Sequence, residues 1–386
     1  MKINYSLINL PLLLGLMCGI LLSFTQCKSS PEEAFKAKGG LRLWVELDEA
    51  SFKTADEAEN IRSLTMDVLF KRIASYGVTP HIIWLEDKNR ILLELPGVKE
   101  PERVLDLLES NGNLEFWETY NLTDIYRQLV EADERLANLL ASTVESNAGK
   151  KQTLPVSDDK QVEGLPEDDL EALLGSIEEE SEDEADISAD AYAATHPLFA
   201  KLQLNMYQEA GGYALVPGPI VGYAMTGDKD QITAYLNMKG VKLVLPKDLF
   251  FKWGVKSIDE QGELYELYAL KRTMREGAVM DGSVITEAKA EPDFSEKYAI
   301  SLQMNGEGAR QWARVTRDNI GKCIAMVVDD KVYSAPNVMS EITGGRSMIS
   351  GNFTKEEAKD LANMLRAGRM PVPITIVEHK IIPPAN

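Results

Sequence analysis

The sequence predicts an α+β protein made of two ferredoxin-like βαββαβ modules, with a helical and acidic disordered insertion between them. Three observations carry that prediction. Period-two alternation, as in Leu41, Leu43, Val45 and Leu47 against Arg42, Trp44, Glu46 and Asp48, repeatedly gives way to helical spacing of apolar residues. The order strand, helix, strand, strand, helix, strand is readable over residues 41–120 and again late in the chain. Between them, Ser157 to Asp190 is loaded with Asp and Glu, including Glu178-Glu179-Glu180 and Glu182-Asp183-Glu184. Such a block repels itself and cannot bury enough apolar surface to offset its ordering entropy, so it reads as a disordered linker.

At 386 residues, 44% hydrophobic and 26% charged, the chain is long enough for two compact units. Its formal net charge of -20 argues against a nucleic-acid partner and against electrostatic adsorption to an anionic bilayer, since both need clustered Lys and Arg. Membrane contact has to come from an anchor.

The first residues read as one. Lys2 precedes an apolar run from Leu10 to Phe24, broken only by Pro11, Gly15, Gly19 and Ser23. As a helix the run spans about 22 Å, short of the roughly 30 Å hydrocarbon core, so residues 1–26 read as a signal peptide rather than a spanning segment. Phe24-Thr25-Gln26-Cys27 resembles a bacterial lipoprotein cleavage site, in which Cys27 is lipidated and becomes the mature N-terminus; an uncleaved anchor is the alternative. Cleavage would remove Cys18 and lipidation would consume Cys27, leaving Cys323 without an intramolecular partner. Because Cys323 heads the apolar run Ile324 to Val328, a buried strand thiol is expected there. His81, His196 and His379 lack metal-ligand spacing, and the acidic block lacks the regular loop spacing of a calcium site. No metal and no other cofactor is expected.

After a polar tether over 27–40, which reaches at most about 45 Å, the first module follows. Leu41 to Leu47 is a half-buried strand. Thr54 and Glu57 make a capping box for a helix carrying Ile61, Leu64, Val68, Leu69, Ile73 and Tyr76 and ending at Gly77. His81 to Leu85 and Arg90 to Leu95 are strands around Glu86-Asp87-Lys88-Asn89. Pro101 opens a short helix through Val104, Leu105 and Leu108, and Leu114 to Tyr120 is the closing strand.

The insertion has three parts. Residues 121–143 carry helical spacing in Ile125, Leu129, Ala132, Leu136 and Leu139; residues 144–196 are the acidic linker; residues 197–292 are folded but irregular. In the last part Ile232 to Leu236 suggests a short helix, Leu243 to Leu245 and Leu264 to Leu270 suggest strands, and Trp253, Tyr265 and Tyr268 read as core.

The second module, over 293–370, begins with the strand Tyr298 to Met304 and a helix capped by Asn305 that runs through Ala309, Trp312, Ala313 and Val315 to Gly321. Cys323 to Val328 and Val332 to Val338 are strands turning at Asp329-Asp330-Lys331. The best-specified helix comes next, with a Thr354–Glu357 capping box, a stripe of Ala358, Leu361, Ala362 and Leu365, and Gly368 as its stop. Pro371 and Pro373 forbid continuation, and Ile374-Thr375-Ile376-Val377 is extended, so 371–386 reads as a C-terminal strand returning to the first module.

Several stretches resemble the periplasmic part of SecD, or the fused SecDF, the accessory subunit of the bacterial Sec translocase. They are Leu69-Phe70-Lys71-Arg72-Ile73 with Gly77-Val78, Arg90 to Val98 with Pro101-Glu102-Arg103, and Leu114-Glu115-Phe116. Later ones are Gly282 to Thr286, Asn319-Ile320-Gly321-Lys322, Val327 to Pro336, Ile342 to Gly345, Ile349 to Thr354, and Ala358 to Gly368. The resemblance implies a membrane-proximal base and a mobile head that holds an emerging preprotein, and it implies the Sec translocase subunits as further partners. The family's intramembrane charged residues for proton coupling have no counterpart up to Asn386, and its Asp-Leu-x-Gly-Gly motif survives only as Gly39-Gly40 after Lys36-Ala37. The expectation is therefore a lipid-anchored protein at the periplasmic face of a bacterial membrane, inner or outer, that binds unfolded or translocating polypeptide without its own proton-driven motor.

A greasy, adaptable surface is what such binding needs, and the late module is rich in Met. Met304 and Met326 fall in strands and read as core, whereas Met339, Ile342 and Met348 flank Gly344-Gly345 and are the polypeptide-binding candidates. The rival reading is an envelope scaffold or interaction lipoprotein that keeps the fold without preprotein handling. An enzyme ranks third, for want of a nucleophile–base constellation or a phosphate-cradling loop.

Overall fold

A computed structural model of the chain describes residues 31–48, 54–85, 90–148, 188–209, 212–273, 277–293 and 297–385. The expected signal peptide, Cys27, the Glu86–Asn89 turn and the acidic run over 157–187 lie outside these residues. In chain order the first elements are α1 (Pro31–Lys38), β1 (Gly40–Leu47), α2 (Ala55–Ala74), β2 (His81–Leu85), β3 (Arg90–Pro96), α3 (Pro101–Glu109), β4 (Leu114–Thr119) and α4 (Leu122–Ala148). Next come α5 (Ala189–Thr195), β5 (Gln203–Leu204), β6 (Met206–Glu209), β7 (Gly212–Leu215), β8 (Ile220–Met225), α6 (Lys229–Asn237), α7 (Lys239–Lys242), β9 (Leu249–Ser257) and β10 (Leu264–Lys271). The last are β11 (Met280–Asp281), β12 (Ile285–Pro292), β13 (Tyr298–Met304), α8 (Gly306–Asp318), β14 (Ile324–Val328), β15 (Lys331–Ser334), β16 (Arg346–Phe353), α9 (Lys355–Ala367) and β17 (Ile374–Ile382). Contacts divide them into one unit ending at Glu109 and resuming at Pro371, and a second from Ser110 to Met370.

The first unit is a four-stranded antiparallel sheet in the order β17-β1-β3-β2. Alternation along β1 puts Leu41, Leu43, Val45 and Leu47 on its buried face, with Leu69 and Ile73 of α2 and Leu108 of α3 also buried. Each such side chain contributes roughly 1.5–3 kcal/mol of transfer free energy. Thr54 caps α2, its side chain accepting from the Glu57 N–H at 3.2 Å. Two expectations are corrected. Residues 31–38, read as tether, form α1 behind Pro31 at its first position, and Phe35 is 2% exposed with the Arg42 guanidinium 5.2 Å from its ring centroid. Leu114–Tyr120 does not close this sheet; the edge beside β1 is taken by β17, and β4 belongs to the second unit.

In the second unit β4 pairs with β14, β14 with β15, β15 with β9, β9 with β10, and β10 again with β4, closing a ring of strands. Trp117, Tyr268, Leu270, Ala325, Val327 and Val332 form one buried cluster in it. All of β14 is buried, because alternate residues face opposite sides and both sides are covered. The second βαββαβ module is therefore not formed: β14 and β15 join the ring, and β13 lies instead in a three-stranded antiparallel sheet, β12-β13-β16. Ile300, Leu302, Met304, Ile349 and Phe353 of that sheet are buried, as are Ala358, Leu361, Ala362 and Leu365 of α9. Thr354 and Glu357 close their capping box on α9.

The two folded parts of the insertion share one core, and the end of the stretch read as linker, Ala189–Thr195, is helical as α5. Ile125, Leu129, Ala132 and Leu136 of α4 pack with Leu198, Leu202, Ile232, Leu236, Val241, Leu249 and Leu267, so α4 and the segments after it form a single body with the outer side of the ring. Leu243–Leu245, read as a strand, is a turn after α7, with Leu243 77% exposed. Asp133, itself buried, fastens α4 to the next segment: its carboxylate accepts from Leu198 N–H at 2.7 Å and lies 2.9 Å from His196 Nδ1. Burial pushes the Asp133 carboxyl above the usual carboxylate range, against the pull of those hydrogen bonds.

Candidate functional site

Helix α8 organises the surface that holds most of the predicted binding residues. Asn305 caps it, its side chain accepting from Gly308 N–H at 2.8 Å, and Trp312 pins it to the sheet with its ring centroid 5.0 Å from that of Phe116. One turn on, the fully buried Thr316 donates its hydroxyl to the Trp312 carbonyl at 2.8 Å and accepts the Ile342 N–H at 2.9 Å. After the helix, Gly321 turns at φ +81°, and the Gly321 N–H donates to Val338 and the Val338 N–H to Lys322, each at 2.9 Å. At the far end of the loop a Cβ on Gly345 would come within 2.7 Å of Ala309 Cβ, so only glycine lets the chain pass so close to the helix.

Held at both ends, the 337–345 loop buries Val338 and leaves Met339 outward. Met339 is 81% exposed and Ile342 half-buried, and Ile320, at the turn leaving α8, is 52% exposed. Met348 is elsewhere. It lies opposite Ser301, on the face of the three-stranded sheet away from the buried Ile300 and Ile349, near Arg346, whose Nε donates to Gln303 at 3.2 Å. The loop thus unites Met339 and Ile342, adds Ile320, and separates Met348 from them. Sequence reasoning missed Ile320, although an isoleucine between Asn319 and Gly321 and off the Trp312–Thr316 stripe is a legible sign of an outward apolar residue.

A cleft of about 1240 Å³ flanks α8 and is lined by Glu115, Asp281, Glu307, Arg314, Arg366 and Arg369 among others. Its balanced charges favour neither sign of ligand. Met304 and Met326 are buried at 4% and 1% exposure. Cys323 is half-buried just before β14, and burial raises its thiol above the usual range, disfavouring the thiolate. His81 Nδ1 lies 3.0 Å from the Glu94 carboxylate. No group of three His, Cys, Asp or Glu side chains placed to hold a metal occurs among the described residues, and no helix among them is long and apolar enough to cross a membrane.

Comparison with known proteins matches two stretches of the chain. The family model for the N-terminal part of the P1 domain of protein translocase subunit SecDF matches residues 63–121, and that for the SecDF P1 head subdomain matches 259–372. A protein translocase subunit SecD of Rhodothermus marinus is 32% identical over 341 residues, 88% of this chain and 49% of that protein. One from Sebaldella termitidis is 46% identical over 104 residues, 27% of this chain and 26% of its own. The chain thus spans at most about half the length of these relatives. A crystal structure of SecDF in a super-membrane-facing form is 21% identical and covers 96% of this chain and 34% of its own, with a TM-score of 0.45.

Proposed function

This chain carries the P1 region of the SecD/SecDF protein-translocase family, and from that premise we propose that it is a SecD-like accessory protein of Sec-dependent export. Its task is to bind translocating or newly exported polypeptide on the periplasmic side. The observation that carries this reading is the exposure of Ile320 and Met339, with Ile342 half-buried, in the stretch matched to the head subdomain, where Thr316 holds the Ile342 N–H and Gly345 the far end of the loop. Flexible thioether and aliphatic groups on a fixed frame suit a ligand that varies in sequence, because they offer apolar contact without demanding one hydrogen-bond pattern. Holding the client is the role assigned to these residues; no energy-converting step is assigned to them.

Photo-crosslinking during export tests this. A probe replacing Met339 or Ile320 in the full chain is expected to label exported polypeptide, and a probe at Met348 to label it far less. Labelling of one stable envelope complex from Met339, with no nascent chain among the products, would make the protein a scaffold instead.

We also propose attachment to the membrane through lipid on Cys27. The expected mature N-terminus is a diacylated or triacylated cysteine, read by intact-protein mass spectrometry of the membrane-extracted protein. An unmodified Met1 would refute cleavage and lipidation together.

A further inference from the structure

A second cavity, of about 600 Å³, opens beside α6, β9 and the β14–β15 turn, largely outside the stretches matched to the family. One wall is aromatic. Lys229 Nζ sits 3.7 Å from the Tyr265 ring centroid and 5.4 Å from that of Trp253, whose indole N–H donates to Thr233 Oγ1 at 3.0 Å and so has a fixed tilt.

Around that wall stand Lys229, Lys242, Lys247, Lys252, Arg272 and Lys331. Lys252 is neutralised by Asp330 at 2.5 Å, and the other lining acid, Asp329, is occupied with the backbone N–H groups of Gly112 and Asn113 at 3.0 and 2.9 Å. Among the described residues no carboxylate lies within ion-pair distance of Lys229, Lys242, Lys247, Arg272 or Lys331. Burial, and then the ammonium of Lys331, push Lys229 below the ordinary lysine range, against the pull of the neighbouring Asp230 carboxylate. On a chain with a formal net charge of -20, this concentration of uncompensated positive charge is a local reversal.

We propose that this pocket binds a short acidic peptide segment, with carboxylates against Lys229 and Lys331 and an apolar side chain on the Trp253 and Tyr265 rings. The spacing of the cations decides the ligand class. A phosphate site gathers guanidinium forks and backbone N–H groups around one point, whereas these are mostly lysine point charges dispersed over separate elements, with Arg272 held 4.9 Å from the Phe250 ring. Several separated cations fit several separated anions, and an extended run of Asp and Glu with an apolar residue between them supplies both. The pocket is built from other elements than the Met339 surface, so neither reading rests on the other.

The test titrates a labelled twelve-residue peptide of alternating Glu and Leu into the full chain, into K229Q/K331Q, and into a full chain whose Glu178, Glu179, Glu180, Glu182, Asp183 and Glu184 are amidated to Gln or Asn. Binding is expected to weaken about tenfold in K229Q/K331Q and to weaken steeply with salt. Tighter binding by the amidated chain supports the pocket as well, with the chain's own acidic stretch as its competitor. Equal affinity of the double variant, equal affinity for a Gln-for-Glu peptide, or no binding to either the native or the amidated chain would overturn the proposal. So would inorganic phosphate binding as tightly as the peptide, since the site would then be one for small anions.

Discussion

Gly40→Ala is expected to destabilise the first unit by about 2–4 kcal/mol, from backbone strain and a broken strand ladder. Gly40 has φ +144°, a region that side chains rarely adopt, and a Cβ there would drive into the Leu95 carbonyl oxygen of the neighbouring strand. It begins β1 between Ile382 of β17 and Pro96 of β3, so no side of the strand is free to give way. Gly39, at φ +63°, is held by its carbonyl, which accepts from Gly97 N–H at 2.9 Å. Hydrogen exchange followed peptide by peptide should show protection lost in β1, β3 and β17 while β4, β10 and β14 keep theirs. Retained protection in β1 and β3 would show that the pairing tolerates the methyl group.

Trp312→Ala is expected to cost about 3–5 kcal/mol in the second unit, the transfer of a large ring plus the cavity it leaves. Trp312 is 2% exposed against Phe116, and its carbonyl accepts the Thr316 hydroxyl that in turn holds Ile342. Trp312→Phe should behave differently. The indole N–H has no protein acceptor among the described residues, so exchanging it for a hydrocarbon ring removes an unpaired buried donor while keeping most of the contact. The expected loss for Phe is about 1 kcal/mol or less. Denaturant titration with exchange in α8 and β14 as the readout separates the two; equal losses for Ala and Phe would mean that the indole makes a hydrogen bond of its own.

Local chemistry in the sequence was read closely where it depends on few neighbours. Thr54 with Glu57, Asn305 with Gly308 and Thr354 with Glu357 mark helix starts, because a cap is satisfied within one turn. Alternation in Leu41 to Leu47 picked the buried face of β1, and the stripe on α9 picked its buried residues. Motif likeness located the stretches that family models match at 63–121 and 259–372. The binding candidates were legible as apolar residues beside glycines, but which of them share a surface was not, since Met339 lies in a loop while Met348, nine positions on, sits in β16 opposite Ser301.

The sequence by itself therefore determined most capped helices, the buried faces of β1 and α9, and the family likeness. Tertiary structure alone decided which sheet β4, β13, β14 and β15 enter. Alternation and apolarity record how many faces of a strand are covered, while the ladder is made by backbone N–H and C=O groups that nearly every residue carries alike. So Leu114–Thr119, which reads as the end of one module, pairs with Ile324–Val328 in the second unit. The intervening length is little obstacle, because the entropy of closing a loop grows only with the logarithm of its length.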